Sequence, residues 1–136
     1  MILLIHGFLK EVVMKKFISH DNQNVAWFKL ADCIGRGEKE RALSLQRLLM
    51  HSFDDLPFAK KLEAEILAFF EDDNAIDKYI AAANLYYSAG KIFEAAIIYE
   101  KLIASSSDNK DYYQKAADLF KELGYQEKAL FYQNKI

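Results

Sequence analysis

The feature that most constrains this chain is a 34-residue repeat in its carboxy-terminal half. Displacing the sequence by 34 positions places identical residues over one another. The superposed pairs are Tyr79 and Tyr113, Ala82 and Ala116, Ala83 and Ala117, Leu85 and Leu119, Gly90 and Gly124, and Ala95 and Ala129. A fixed period of this length is typical of supersecondary elements that stack on one another. The chain is therefore expected to contain tandem, stacked repeats.

Each copy of the repeat has two apolar stripes with helical spacing on either side of a glycine. In one copy the first stripe lies within residues 79–87, Gly90 follows, and the second stripe lies within residues 93–102. Glycine ends a helix because it adopts the left-handed backbone conformation without steric cost. A turn this short requires antiparallel helices. The small side chains of Ala83 and Ala95 would let the two backbones approach closely.

This pattern resembles the tetratricopeptide repeat, in which aromatic and small residues alternate around a turn glycine. The matching positions are Tyr79, Ala83, Tyr86, Gly90, Ala95 and Tyr99 in one copy, and Tyr113, Ala117, Phe120, Gly124 and Ala129 in the next. An earlier copy has Trp27, Gly37 and Ala42, with a turn one residue shorter. The departures are Ala82 and Ala116 for leucine, Leu102 for a small residue, Ser107 for proline, and Gln133 for the last aromatic. The resemblance implies an all-α protein: a right-handed α-solenoid of antiparallel helix pairs, with about eight helices.

The segments are expected to form one domain, residues 1–136. Its parts are an N-terminal helix at 1–18, a first repeat at 25–52, an inserted helix at 56–73, a second repeat at 75–105 and a third at 109–136. Either Asp54 or Asp55 can cap the inserted helix, and Pro57 suits its first turn. That helix has no partner in the repeat scheme, so the pairing of helices is expected to change there. Residues 1–13 could instead be an upstream extension, and the sequence leaves this open.

Composition and charge exclude several functions. The net charge of −2 argues against nucleic acid as a partner, because nucleic-acid binding needs a basic face. The apolar stretch at residues 1–9 is far shorter than the ~20 residues that span a bilayer, so no membrane partner is expected. No basic residues precede this stretch and no cleavage site follows it, which argues against a signal peptide. The single cysteine, Cys33, cannot form an internal disulfide, and this favours a cytoplasmic location.

The sequence contains no strong catalytic pattern. Its three histidines are isolated, with none of the spacings typical of zinc sites, and it has no phosphate-binding loop or nucleophile elbow. His51 with Asp54 and Asp55 could bind a metal, but a capped helix start explains these residues more simply. Neither an enzyme nor a cofactor nor a bound metal is expected. A metal-dependent hydrolase remains a remote alternative.

The resemblance implies that the first helix of each repeat lines a concave groove. The matching groove-facing residues are Phe28, Lys29, Asp32, Ile80, Asn84, Tyr87, Gln114, Lys115 and Asp118. Some members of the family hold a carboxy-terminal carboxylate with lysine and asparagine. Here only Asn84 matches, because Phe28 and Ile80 stand where the lysines would be.

The expected function is therefore a non-catalytic scaffold or adaptor that binds a protein or peptide segment on its concave face. Two alternatives remain open at this stage. The N-terminal helix could fill the groove. The protein could instead be an assembly subunit that self-associates, or docks, through the uncapped ends of its solenoid. A homo-oligomer could form through the C-terminal face, which is expected to expose Leu130 and Phe131.

Overall fold

The computed structural model describes residues 21–51 and 54–136, apart from the side chains of residues 21–24, and every regular element in these ranges is an α-helix. The helices are α1 (Asp21–Gly35), α2 (Lys39–Met50), α3 (Leu56–Phe69), α4 (Asn74–Ser88), α5 (Ile92–Ser105), α6 (Lys110–Glu122) and α7 (Gln126–Gln133). These seven helices, with no strand in the described ranges, confirm the all-α class. None of them combines the length and the apolar character needed to cross a membrane. The helix predicted at residues 1–18 lies outside the described residues.

The chain divides into two compact units, Met1–Ala75 and Ile76–Ile136. In the first unit α1 packs on α2 and α2 packs on α3; in the second, α5 packs on α6 and α6 on α7. The largest fully buried side chains form the core of each unit. They are Leu30, Ile34, Leu62 and Ile66 in the first unit, and Ile98, Leu102 and Phe120 in the second.

Three glycines occupy the turns that the repeat predicts. Gly37, Gly90 and Gly124 have φ values of 76°, 78° and 84°, in the region where a side chain is strained. Each turn closes with the same pair of backbone hydrogen bonds. After α4, for example, Gly90 donates to the carbonyl of Tyr87 at 3.0 Å and Lys91 donates to that of Tyr86 at 2.8 Å. This is the Schellman arrangement that commonly ends helices, and the prediction for these glycines is confirmed.

A fourth turn has the same backbone but no glycine. Glu71 has a φ of 57°, it donates to the carbonyl of Ala68 at 3.0 Å, and Asp72 donates to that of Leu67 at 2.9 Å. It follows Gly37 by 34 residues, so the period continues through α3. Because this turn ends α3 at Phe69, the helix is shorter than the predicted 56–73. The structure therefore places a turn of this type before α4 as well as after it.

Side-chain caps explain where several helices begin. The Asp55 carboxylate accepts a hydrogen bond from the backbone N–H of Phe58 at 3.1 Å, which decides between the two candidate caps of α3. The side chain of Asn109 accepts from the N–H of Asp111 at 3.0 Å at the start of α6. Such caps satisfy N–H groups that have no partner inside the helix. The described part of α1 extends from Asp21 to Gly35 and so includes residues before position 25, where the first repeat is predicted to start.

Polar contacts join successive turns and helices inside the first unit. The Lys39 ammonium lies 2.6 Å from the Asp72 carboxylate, so the turn after α1 and the turn after α3 are linked. This hydrogen bond holds the pKa of Asp72 below its ordinary value. The Gln46 side chain, which is 3% exposed, donates to the carbonyl of Ala59 at 3.0 Å. A buried amide that is hydrogen-bonded in this way fixes how α2 meets α3.

Candidate binding groove

The most developed candidate site is a cavity of about 300 Å³ in the second unit, between α4, α5 and α6. It is called the α4–α6 groove below. Its lining residues come from all three helices: Ala83, Asn84 and Tyr87 from α4, Ala95 and Tyr99 from α5, and Lys115, Asp118, Leu119 and Glu122 from α6. Four of the nine predicted site residues, namely Asn84, Tyr87, Lys115 and Asp118, therefore lie together here.

Small and aromatic side chains form the apolar part of the groove. Ala83 and Ala95 are each 1% exposed, as expected of residues that let two helices approach closely. Tyr99 and Leu119 are also buried, while Tyr87 is 46% exposed. The repeat thus accounts for this part of the groove. Its small alanines leave a space, and the larger side chains of the tyrosines and Leu119 form the walls of that space.

The polar side of the groove is organised by hydrogen bonds from neutral donors. The Tyr87 hydroxyl donates to the two carboxylate oxygens of Glu122, at 3.1 and 3.2 Å. This hydrogen bond raises the pKa of Tyr87, because ionising the phenol would place a second negative charge beside Glu122. The Gln114 amide donates to the Asp118 carboxylate at 2.9 Å. Both carboxylates thus accept hydrogen bonds from neutral side chains.

Glu122 was missed by the sequence reasoning. Matching at the 34-residue period pairs Tyr87 with Lys121, yet Tyr87 reaches the next residue along α6. A signal was present in the spacing of Lys115, Asp118 and Glu122, because residues separated by three and seven positions lie on one face of a helix. The helical face was therefore a better guide to this side of the groove than the repeat alone.

The other predicted site residues lie elsewhere. Ile80 is half-buried on α4 and Gln114 is exposed on α6; neither lines the cavity, although Gln114 reaches it through Asp118. Phe28, Lys29 and Asp32 are exposed on α1, in the first unit. Lys29 and Asp32 border a separate cavity of about 260 Å³, whose other lining residues are Cys33, Arg36, Glu38, Arg41 and Leu45.

A larger cavity in the first unit includes the residues of the metal alternative. It measures about 510 Å³ and is lined by residues of α2, of α3 and of the segment that joins them, among them His51 and Asp54. Asp55 caps α3 instead of facing this cavity. Across residues 21–51 and 54–136, no group of three or more histidine, cysteine, aspartate or glutamate side chains is placed to hold a metal ion.

The geometry of the α4–α6 groove suits recognition by contact: an apolar floor, an exposed tyrosine ring and a rim of charged and amide groups. Pockets of this kind, with few polar groups over an apolar lining, are where proteins bind ligands and partner side chains. Comparison with family models, with curated proteins and with solved structures found no match for this chain.

Proposed function

We propose that this protein is a non-catalytic scaffold or adaptor that binds a segment of another protein in the α4–α6 groove. The architecture that goes with this proposal is a right-handed α-solenoid of tetratricopeptide-like helix pairs, about eight helices in all. The proposed compartment is the cytoplasm, because Cys33 is the only cysteine of the sequence and cannot form an internal disulfide.

The composition of the groove is the main support for the proposal. The groove combines the exposed Tyr87 ring with the buried alanines and Tyr99 beneath it, and sets Asn84 and Lys115 beside them. Tyrosine is enriched among residues that dominate binding energy, because it presents a large apolar area together with a hydroxyl. The side chains of Asn84 and Lys115 have no hydrogen-bond partner among the described residues. Both side chains can therefore donate to a bound segment.

The proposed ligand is a segment of protein chain, extended or helical. Backbone carbonyls of such a segment would accept from Asn84 and Lys115, and an apolar side chain would cover the floor of the groove. At about 300 Å³, the groove has the volume of the smallest ligand pockets. This suits a few side chains of an interface better than a large free ligand.

Site-specific photo-crosslinking tests the proposal. A photoreactive phenylalanine analogue replaces Asn84 in the full chain, expressed in its native cells, and the matched control carries the analogue at Glu94. Glu94 is exposed on α5 and does not line the groove. We expect defined protein adducts at Asn84 that are missing at Glu94, identified by mass spectrometry. The same adducts at both positions, or none at either, would reject groove binding.

A second candidate function is an assembly subunit that associates through α7. Leu130 and Phe131 are 60% and 55% exposed, as the sequence predicts, and two adjacent exposed apolar side chains on one short helix favour a contact surface. Light scattering over a range of protein concentrations tests this function. We expect the mass to rise with concentration if α7 associates with itself, and a Phe131→Glu variant to stay monomeric. An unchanged monomer mass at high concentration would reject self-association.

A further inference from the structure

We propose that the segment bound in the α4–α6 groove presents an arginine or lysine side chain to Asp118 and Glu122. This inference rests on the proposed function and narrows it, because it names the chemistry that the groove selects. The evidence is the charge of the groove, the way its carboxylates are held, and their position beside aromatic rings.

The lining of the groove has an excess of negative charge. Of its nine residues, Asp118 and Glu122 are acidic and Lys115 alone is basic. Within the described part of the chain, no ion pair joins either carboxylate to a lysine or arginine. Their hydrogen-bond donors are the neutral Gln114 amide and Tyr87 hydroxyl. Neutral donors fix the direction of a carboxylate but leave its charge uncompensated.

Other carboxylates of the protein show the contrast. In the first unit, Asp72 is paired with Lys39 at 2.6 Å. In the second unit, which contains the groove, Glu100 is paired with Lys128 at 3.0 Å. Each of those two carboxylates is therefore paired with a lysine of the protein itself. Asp118 and Glu122 lack one and line a cavity, which is where an external cation can reach them.

The spacing of the two carboxylates suits a single cation. Asp118 and Glu122 are four residues apart on α6, so their Cβ atoms are separated by roughly 6 Å and the like charges repel each other. A cation between them would relieve this repulsion. The rings of Tyr87 and Tyr99 border the same space, and a guanidinium or ammonium group is also attracted to an aromatic face. Charge and aromatic surface therefore favour the same kind of side chain.

Lys115 does not remove this preference. It lies one turn of α6 before Asp118 and two turns before Glu122, and the described residues include no ion pair from its ammonium to either carboxylate. The groove thus has a basic end at Lys115 and an acidic end at Glu122 and Tyr87. A bound segment would place its cation at the acidic end and a carbonyl or acidic group near Lys115.

Peptide display on the full chain tests the inference without assuming a sequence. A random peptide library is selected against the wild type, and against a variant in which Asn84→Trp blocks the groove with a neutral side chain. Asn84 is exposed and lines the groove, so this substitution adds bulk there without changing the core. Peptides that bind only the wild type are taken as groove ligands. Their affinities are then measured against the double variant Asp118→Asn/Glu122→Gln. A Glu127→Gln variant serves as the charge control, because Glu127 is exposed on α7 and lies outside the groove. Circular dichroism checks that every variant is folded.

We expect groove ligands to be enriched in arginine and lysine. The double variant should bind them about fivefold to tenfold more weakly, as for loss of partly exposed ion pairs. The Glu127→Gln control should leave their affinity unchanged. Binding should also weaken as salt rises.

Two other outcomes separate the failure of this inference from the failure of the proposed function. Groove ligands that are acidic, or that have no charge preference, would overturn the inference while leaving groove binding intact. A selection that yields no peptide sensitive to Asn84→Trp would overturn both.

Discussion

Replacing Gly90 by alanine tests the geometry on which the repeat depends. Gly90 has a φ of 78°, and a Cβ added there would meet nothing within 4 Å. The expected loss is therefore a property of the backbone alone. The left-handed conformation costs an L-residue roughly 1–2 kcal/mol, and alanine recovers about 0.4–1 kcal/mol by restricting the unfolded chain. The net loss of unfolding free energy should be about 1 kcal/mol.

Valine at the same position should lose more, about 2–3 kcal/mol, because its β-branch restricts the backbone further. Urea unfolding followed by circular dichroism measures both values, and the slope against urea should stay unchanged. Gly35→Ala is the matched control. Gly35 is the last residue of α1 and its φ is not positive, so alanine there should leave stability unchanged or raise it by up to about 1 kcal/mol.

The comparison of the two alanine variants shows whether the left-handed backbone is the reason for glycine at position 90. If Gly90→Ala and Gly35→Ala changed stability equally, the left-handed turn could not be the reason for glycine at position 90. A Gly90→Val loss well below 1 kcal/mol would lead to the same conclusion.

Three further predictions concern the turns and the titrating groups. Glu71→Gly should raise the unfolding free energy by roughly 0.5–1 kcal/mol, because it relieves a left-handed residue at the cost of unfolded-state freedom; a loss in urea unfolding would contradict this. Burial raises the pKa of Tyr99 and Tyr132 above their ordinary value of 10.0. The unfolding free energy should therefore be independent of these groups below that pH and fall above it, because the unfolded state loses the phenol protons first. The Tyr132→Phe variant should show a smaller fall when unfolding is measured as a function of pH. The pKa of Asp72 lies below its ordinary value of 3.8, so its contribution should be present above that pH and disappear as the pH falls through the lowered pKa. Lys39→Met should reduce this acid dependence and leave the part that comes from the hydrogen bond donated by the Asn74 N–H. An unchanged acid profile would count against the ion pair.

Much of the local fold could be predicted from residue type and spacing. The turn glycines were identified because only glycine is unstrained at positive φ, and a cap at Asp54 or Asp55 followed from their place before Pro57. The structure selects Asp55. The fourth turn could not be found in this way. Glu71 adopts the same backbone as Gly37 and follows it at the repeat period, but a glutamate carries no sign of a left-handed conformation.

The candidate site was predictable in part for a similar reason. The resemblance to the repeat assigned Asn84, Tyr87, Lys115 and Asp118 to a groove, and the structure brings these four residues to one cavity. Helical periodicity adds only the face of its own helix on which each residue lies. Periodicity does not give the relative shift of two neighbouring helices. The hydrogen bond from Tyr87 to Glu122 depends on that shift, which is why Glu122 emerged only from the structure.

In the second unit, different residues form the buried part of the groove and its exposed part, and this separation matters for the design of new binding specificities. Ala83, Ala95 and Tyr99 are buried on α4 and α5, whereas the side chains of Asn84, on α4, and Lys115, on α6, are exposed and have no partner among the described residues. Specificity could thus be rewritten by exchanging these outward side chains, leaving the scaffold that displays them untouched.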